Sequence, residues 1–209
     1  MSKEIFTNIY DNHSWGGVSR SGPGSDLEQT KVLIEELPKL FMKYNIKTFL
    51  DAPCGDFHWM KFVDKSNINY VGGDIVSNVI KANKKNFDSV NVSFLELDII
   101  NDKLPNADII FVRDCLVHFP ITSIYKFLFN LISSNIKYLM TTTFVNRDVN
   151  YDINFGEWRQ LNLLTTPFNF PKPLEIINEG CTENNNSNSD KSMCLWNVSD
   201  IGKILLRAR

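Results

Sequence analysis

Apolar positions along this chain recur in two rhythms. Leu27, Ile34, Leu37 and Phe41 fall at helical spacing, after Ser25 and Glu28 in the order of a capping box. They predict a helix over 26–44, kinked near Pro38. Short apolar runs follow at 47–51, 69–74, 92–97, 107–113 and 137–144, and these read as strands. Helical stretches stand between the second and third runs, at 76–87, and between the fourth and fifth, at 121–132. Strands that alternate with helices predict parallel pairing, with helices on both faces of a sheet.

Beyond Phe144 the rhythm is lost. Residues 146–173 mix aromatic, polar and proline residues, and Phe155, Trp158, Phe168 and Phe170 predict an ordered loop. Residues 173–178 and 192–198 read as an antiparallel pair of strands, with a mobile surface loop at 182–190. The first 25 residues are polar and rich in Gly and Ser, and read as an arm. Trp15 is costly to leave in water, so the arm is expected to fold over a site as a lid. The expected architecture is one α/β domain over 1–209, with a Rossmann-like, mostly parallel sheet of about seven strands and an antiparallel C-terminal strand. Its parts are the arm (1–25), a cofactor-binding core (26–145) and a substrate loop with the last strands (146–209).

Composition narrows the function. At 209 residues with 43% apolar and 22% charged, the chain suffices for one full core. The net charge of -2 gives no broad positive field for a nucleic acid backbone. No apolar run reaches membrane-spanning length, and residues 1–10 lack the pattern of a secretory leader. Cys54, Cys115, Cys181 and Cys194 show no CxxC spacing, so we expect reduced thiols in a cytoplasmic protein, with no metal site.

Acids close four successive strands: Asp51, Asp74, Asp98 and Asp114. Ligands of open α/β sheets bind outside the carboxyl ends of strands, so these acids form a polar crest over an apolar sheet. The first strand runs into Asp51-Ala52-Pro53-Cys54-Gly55-Asp56, whose single glycine allows a tight turn and a close approach to a ligand. Three glycines admit a pyrophosphate in dinucleotide sites; here one glycine and the acid Asp56 disfavour it. Asp74, 23 residues after Asp51, suits the hydroxyls of a ribose. Asp98 can accept from an adenine amino group while Ile99 packs on the ring. The set describes a nucleoside with a cationic or amino-bearing tail.

The segments FLDAPCGDFHWM, YVGGDI, LELDI and IIFVRDCLVHFP resemble, in order, the cofactor motifs of class I S-adenosylmethionine-dependent methyltransferases, over residues 46–145. The flanks WGGVSRSGPGS and WRQLNLLTTPFNFPKPL resemble a bacterial small-molecule and glycan branch. The chain departs from the family's glycine-rich loop at Ala52, Pro53 and Cys54. The resemblance implies S-adenosylmethionine as cofactor. It implies Asp51, Ala52, Pro53 and Gly55 beside the methionine part, Asp74 and Ile75 at the ribose, and Asp98 and Ile99 at adenine. Arg113 and Asp114 would lie at the methionine end, facing the acceptor. It also implies O-methylation of a sugar or phosphate-type acceptor, as in capsule assembly.

Methyl transfer to a hydroxyl needs a base, and His118 is the candidate, assisted by Asp114. A helix-capping or structural histidine is the competing role. His13 and His58 are weaker candidates, and Trp59 is either a pocket wall or core. Arg20, Trp158, Arg159 and Asn162 are candidate acceptor-binding residues; with Arg113, the arginines favour an anionic or sugar-phosphate acceptor, and surface or salt-bridge roles stand equally open for them. The rivals are a nicotinamide-dependent oxidoreductase, disfavoured by the glycine-poor loop, and a non-catalytic cofactor-binding partner subunit.

Overall fold

Phe49 and Leu50 are neighbours in the chain and both fully buried, yet they pack in different hydrophobic clusters. A strand sends successive side chains to opposite faces, so both faces of the sheet need a cover. The computed structural model describes residues 2–207. Its strands are β1 (Thr48–Asp51), β2 (Asn69–Asp74), β3 (Val92–Glu96), β4 (Ile109–Val112), β5 (Tyr138–Phe144), β6 (Glu175–Asn178) and β7 (Lys191–Asn197). They lie side by side in the order β3-β2-β1-β4-β5-β7-β6. β1 to β5 are parallel, while β7 pairs antiparallel with both β5 and β6.

Among the described residues the α-helices are α1 (Ser2–Asp11), α2 (Leu27–Lys43), α3 (Ser77–Phe87), α4 (Ile121–Ile132) and α5 (Val198–Arg207). On one face, Leu33, Leu37 and Phe41 of α2 and Ile80 of α3 share a cluster with Phe49, Phe111 and Met140. On the other, Ile124, Phe127 and Leu128 of α4 and Ile201 and Leu205 of α5 share one with Leu50, Ile110 and Leu139. Each such side chain contributes about 1.5–3 kcal/mol by leaving water, so the two-sided burial drives formation of the sheet. The direction of strand order reverses between β1 and β4, which opens a crevice at their carboxyl ends.

The expected α/β architecture and the antiparallel C-terminal strands are observed; four local expectations are corrected. The N-cap of α2 is Asp26, not Ser25, and no side chain caps it. Asp26 Oδ1 instead accepts the backbone N–H groups of Val18 and Ser19, at 3.1 and 3.4 Å. The arm contains a helix, α1, whose Phe6 packs on Phe119 and Phe155. Residues 182–190 are fastened down: Asp190 accepts from Arg147 at 2.7 Å, and Gln160 donates to Asn188 at 2.9 Å. Helix α5 follows β7, where no element was expected. The 146–173 loop is ordered as expected, with Leu161, Leu163, Phe168 and Phe170 buried.

The two glycines of β2 have a packing reason. A Cβ on Gly72 would stand 2.6 Å from the Phe94 ring, on the neighbouring strand β3. Gly72→Ala is therefore expected to destabilise the fold by about 1–3 kcal/mol through overpacking. Urea unfolding checks this: the midpoint should drop with an unchanged slope. An unchanged midpoint would mean that the ring can move aside.

Candidate functional site

The crevice at the ends of β1, β2 and β4 holds two adjoining cavities. The first, about 110 Å³, has a floor of Pro53, Gly55, Asp74 and Ile75, and sides of Val79, Leu97, Asp98, Ile99 and Asp114. Phe6, Tyr10, Trp15 and Ser21 of the arm roof it. The second, about 290 Å³, is lined by Trp15, residues 21–24, Asp114, His118, Phe144, Trp158, Glu183, Asn184, Asn188 and Lys191. Trp15, Ser21, Asp114 and His118 belong to both, so the cavities meet there.

In the first cavity, Asp74 is held by its own turn: Val76 N–H donates to Oδ1 at 2.9 Å and Gly55 N–H to Oδ2 at 3.1 Å. Burial pushes its carboxyl up to about 6, and these N–H groups limit the rise. Asp98 is fixed likewise, by Ile100 N–H at 2.9 Å and Asn101 Nδ2 at 2.8 Å. The side walls between them are aliphatic. Such a slot suits a flat ring with polar groups at its edge. Gly55 has φ +54, and a Cβ there would stand 2.2 Å from Ser21 Oγ. The glycine is thus required by the approach of the arm as well as by the turn.

Asp51, Ala52 and Arg113, expected at the cofactor, do not line this cavity. Asp51 points into the sheet and accepts the Tyr70 hydroxyl at 2.6 Å; burial pushes its carboxyl up to about 7. Ala52 packs in the core. Arg113 is buried; its Nη2 donates to Glu179 at 2.6 Å and to Gly24 O at 2.7 Å, and its guanidinium lies over Trp59. Trp59 is therefore core.

At the junction, Asp114 has φ +48, an uncommon conformation for a residue with a side chain. Thr142 Oγ1 accepts its N–H at 2.8 Å, and Lys191 Nζ lies 2.6 Å from its carboxylate. Burial alone would raise the Asp114 carboxyl; Lys191 and Arg113 outweigh it and hold the group well below its usual range. His118 ends a short turn, Leu116–His118, and its ring stacks on Trp15 at 4.9 Å. Nδ1 lies 2.9 Å from Glu157 O. A carbonyl only accepts, so Nδ1 carries the proton and Nε2 keeps a lone pair. Burial pushes this imidazole below its ordinary value, against the pull of Glu157 O and Asp114.

Three of the four expected acceptor residues lie elsewhere. Arg159 is fully buried and donates to Phe119 O at 2.8 Å. Asn162 is buried too, and its side chain bridges Arg147 O and Leu164 N–H within the loop. Arg20 is exposed on the outside of the arm, against the carbonyls of Tyr10 and Asp11. Trp158 does line the second cavity. His13 and His58 line neither. The sequence reading missed Lys191, Glu183, Asn184, Asn188 and Phe144. Lys191 had one signal: a charged residue at the head of an apolar strand. Among the described residues, no group of three or more His, Cys, Asp or Glu is placed to hold a metal, and no helix is long and apolar enough to cross a membrane.

The buried Asp51 makes stability depend on pH. Its folded carboxyl titrates near 7 against an ordinary 3.8. The folded chain therefore holds a proton that the unfolded chain has released, and stability falls as pH rises from about 4 through 7. Asp51→Asn keeps an acceptor for Tyr70 without the charge. It should be more stable than the parent by on the order of 2 kcal/mol at pH 8. Thermal unfolding across pH tests this, and the difference should vanish near pH 4.

No family model and no curated protein matches the chain. Solved structures do. The human N-acetylserotonin methyltransferase, in complex with SAM, superposes with a TM-score of 0.62 at 13% identity over 93% of this chain. The chain spans 59% of that enzyme's length. A S-adenosylmethionine-dependent methyltransferase from Clostridium acetobutylicum gives 0.57 at 13% identity, covering 92% of this chain and 97% of the other. The N-methyltransferase NodS of Bradyrhizobium japonicum, with S-adenosyl-L-homocysteine, gives 0.52 at 14% identity over 65% of this chain and 73% of its own. This chain thus has the fold of the class I S-adenosylmethionine-dependent methyltransferases.

Proposed function

We propose that the protein is an S-adenosylmethionine-dependent O-methyltransferase that acts on a small, uncharged, hydroxyl-bearing acceptor. The observation that carries this is the meeting of the two cavities at Asp114 and His118. The first cavity fits the nucleoside: aliphatic walls at Ile75, Val79, Leu97 and Ile99 for adenine, and fixed carboxylates at Asp74 and Asp98 for hydroxyl and amino donors. It has no Lys or Arg in its lining to hold a pyrophosphate. The sheet order also departs from the 3-2-1-4-5-6 of dinucleotide dehydrogenases, since β7 is inserted between β5 and β6. Both facts weigh against the nicotinamide reading.

When bound, the cofactor supplies an already activated methyl group. The chain's own task is to place the acceptor and take its proton. His118 is neutral near pH 7 and has Nε2 available as a base. Asp114 beside it stabilises the imidazolium that forms. Asp114 and Lys191 orient the acceptor hydroxyl, and Trp15 and Trp158 offer aromatic surface for its apolar side.

The acceptor cavity bears on charge. Lys191 and Arg113 supply two cations; Asp114, Glu179 and Glu183 supply three carboxylates that lie within 4 Å of them. No cation is left over for a phosphate. A neutral sugar-type acceptor fits better than the phosphate of a sugar phosphate. A place in surface polysaccharide assembly, such as capsule formation, is the role that the motif resemblance suggests for such a reaction.

Two experiments test the proposal. S-adenosylhomocysteine at 100 times its Kd should add about 2.7 kcal/mol of stability and raise Tm by about 5–10 °C, while NAD should not. A rise with NAD alone refutes the cofactor assignment. With methyl uptake assayed on a panel of neutral sugars, and nucleotide-linked sugars as the charged contrast, His118→Ala should lower kcat by about 10²-fold or more while S-adenosylhomocysteine still binds. The base works only unprotonated, and its pKa lies below 6.5, so the acid limb of kcat/KM should fall below pH 6.5. Full turnover in His118→Ala removes it from the role of base.

A further inference from the structure

Trp15 and Ser21 face the first cavity, and the same two residues, with Gly22, Pro23 and Gly24, wall the second. The arm therefore closes one site and builds the other. One of its fastenings is Asp56, a residue of the loop after β1, beside those to Asp26, Arg113 and Glu96. Ser19 Oγ lies 2.9 Å from each carboxylate oxygen, and the Arg20 N–H donates to Oδ2 at 2.9 Å. Ser21 Oγ accepts the Asp56 N–H at 3.1 Å and lies 3.4 Å from Oδ1. Ser19 is buried, and the Asp56 side chain lines neither cavity. The carboxylate is thus committed to the arm rather than to a ligand. One carboxylate thus meets three consecutive residues of the arm, Ser19, Arg20 and Ser21.

We propose that Asp56 is a latch. It is a positioning residue that keeps the arm closed over S-adenosylmethionine and so makes binding ordered: cofactor first, acceptor second. This rests on the reading that the first cavity takes the cofactor. With the arm down, Phe6, Tyr10 and Trp15 cover part of the first cavity and narrow the way in and out. The acceptor cavity lacks a wall while the arm is up. Trp15 also stacks on His118, so closure brings the base its packing partner together with that wall. Lifting the arm to release the product nucleoside then breaks the Asp56 contacts.

The test uses S-adenosylhomocysteine as the probe and needs no acceptor. Its dissociation rate is measured by stopped flow, and amide exchange of residues 2–24 by mass spectrometry, with and without the probe. In the parent, the probe should slow exchange across the arm. Asp56→Asn should release it about tenfold faster and lose that protection. Ser19→Ala, which trims the arm's side of the latch and leaves the loop intact, should change both readouts in the same direction. The double variant should release the probe no faster than Asp56→Asn alone, since the two residues share one interaction. Should Asp56→Asn not fold, Ser19→Ala decides. Parent-like release in the folded variants, or arm amides indifferent to the probe, overturns the latch and leaves the cofactor reading intact. A parent that does not bind the probe overturns both.

Discussion

The ammonium of Lys191 is buried, and a charge out of water needs a close counter-charge. Asp114 provides it at 2.6 Å, with Glu179 at 3.6 Å. Arg113 joins the same two carboxylates, at 3.2 and 2.6 Å, and reaches the Gly24 carbonyl of the arm. One cluster of charges thereby ties together the end of β4, the start of β7, the residue after β6 and the arm. These are the parts that form the junction of the two cavities. Removing Lys191 or Arg113 leaves Asp114 and Glu179 to share one cation, so the cluster bears on how the antiparallel strands dock and how Asp114 is aimed.

Around that cluster, burial sorts the acids by role. Asp74 has no cation beside it, and its carboxyl moves up toward 6; Asp114 has two, and stays ionised. Next to the ionised Asp114 stands a histidine whose burial favours the neutral ring. A neutral base beside a fixed anion is suited to accept a proton, because the anion stabilises the product of that step. Under the proposed function the same crest of acids would serve two purposes, binding at one end and proton removal at the other.

The arginines show how much the surroundings decide. Arg20, Arg113 and Arg159 carry identical groups, and sequence alone left all three between anion binding and surface or salt-bridge roles. Arg20 sits on outer carbonyls, Arg113 is neutralised inside the charge cluster, and Arg159 braces the turn at Phe119 from within. Asn162 likewise holds its own loop. The proposed preference for an uncharged acceptor rests on these placements, and not on the count of basic residues.

The alternation of apolar runs and helical stretches was enough to establish the α/β class, the five parallel strands and the pair at the C-terminus. Both regularities are local, since each strand and amphipathic helix carries its own period. The crest of acids was legible for the same reason: Asp74 ends its strand, and Asp98 and Asp114 stand two residues past theirs. The second cavity was not legible. Lys191, Glu183 and Asn188 are distant in sequence from Asp114 and His118, and pairing of β7 with β5 is what brings them together. The direction of Asp51 was hidden as well, because a strand residue faces one side or the other according to register, and here register turned it toward Tyr70. Chain order determined the elements and the acids at their ends; long-range pairing and charge neutralisation decided which side chains share a site.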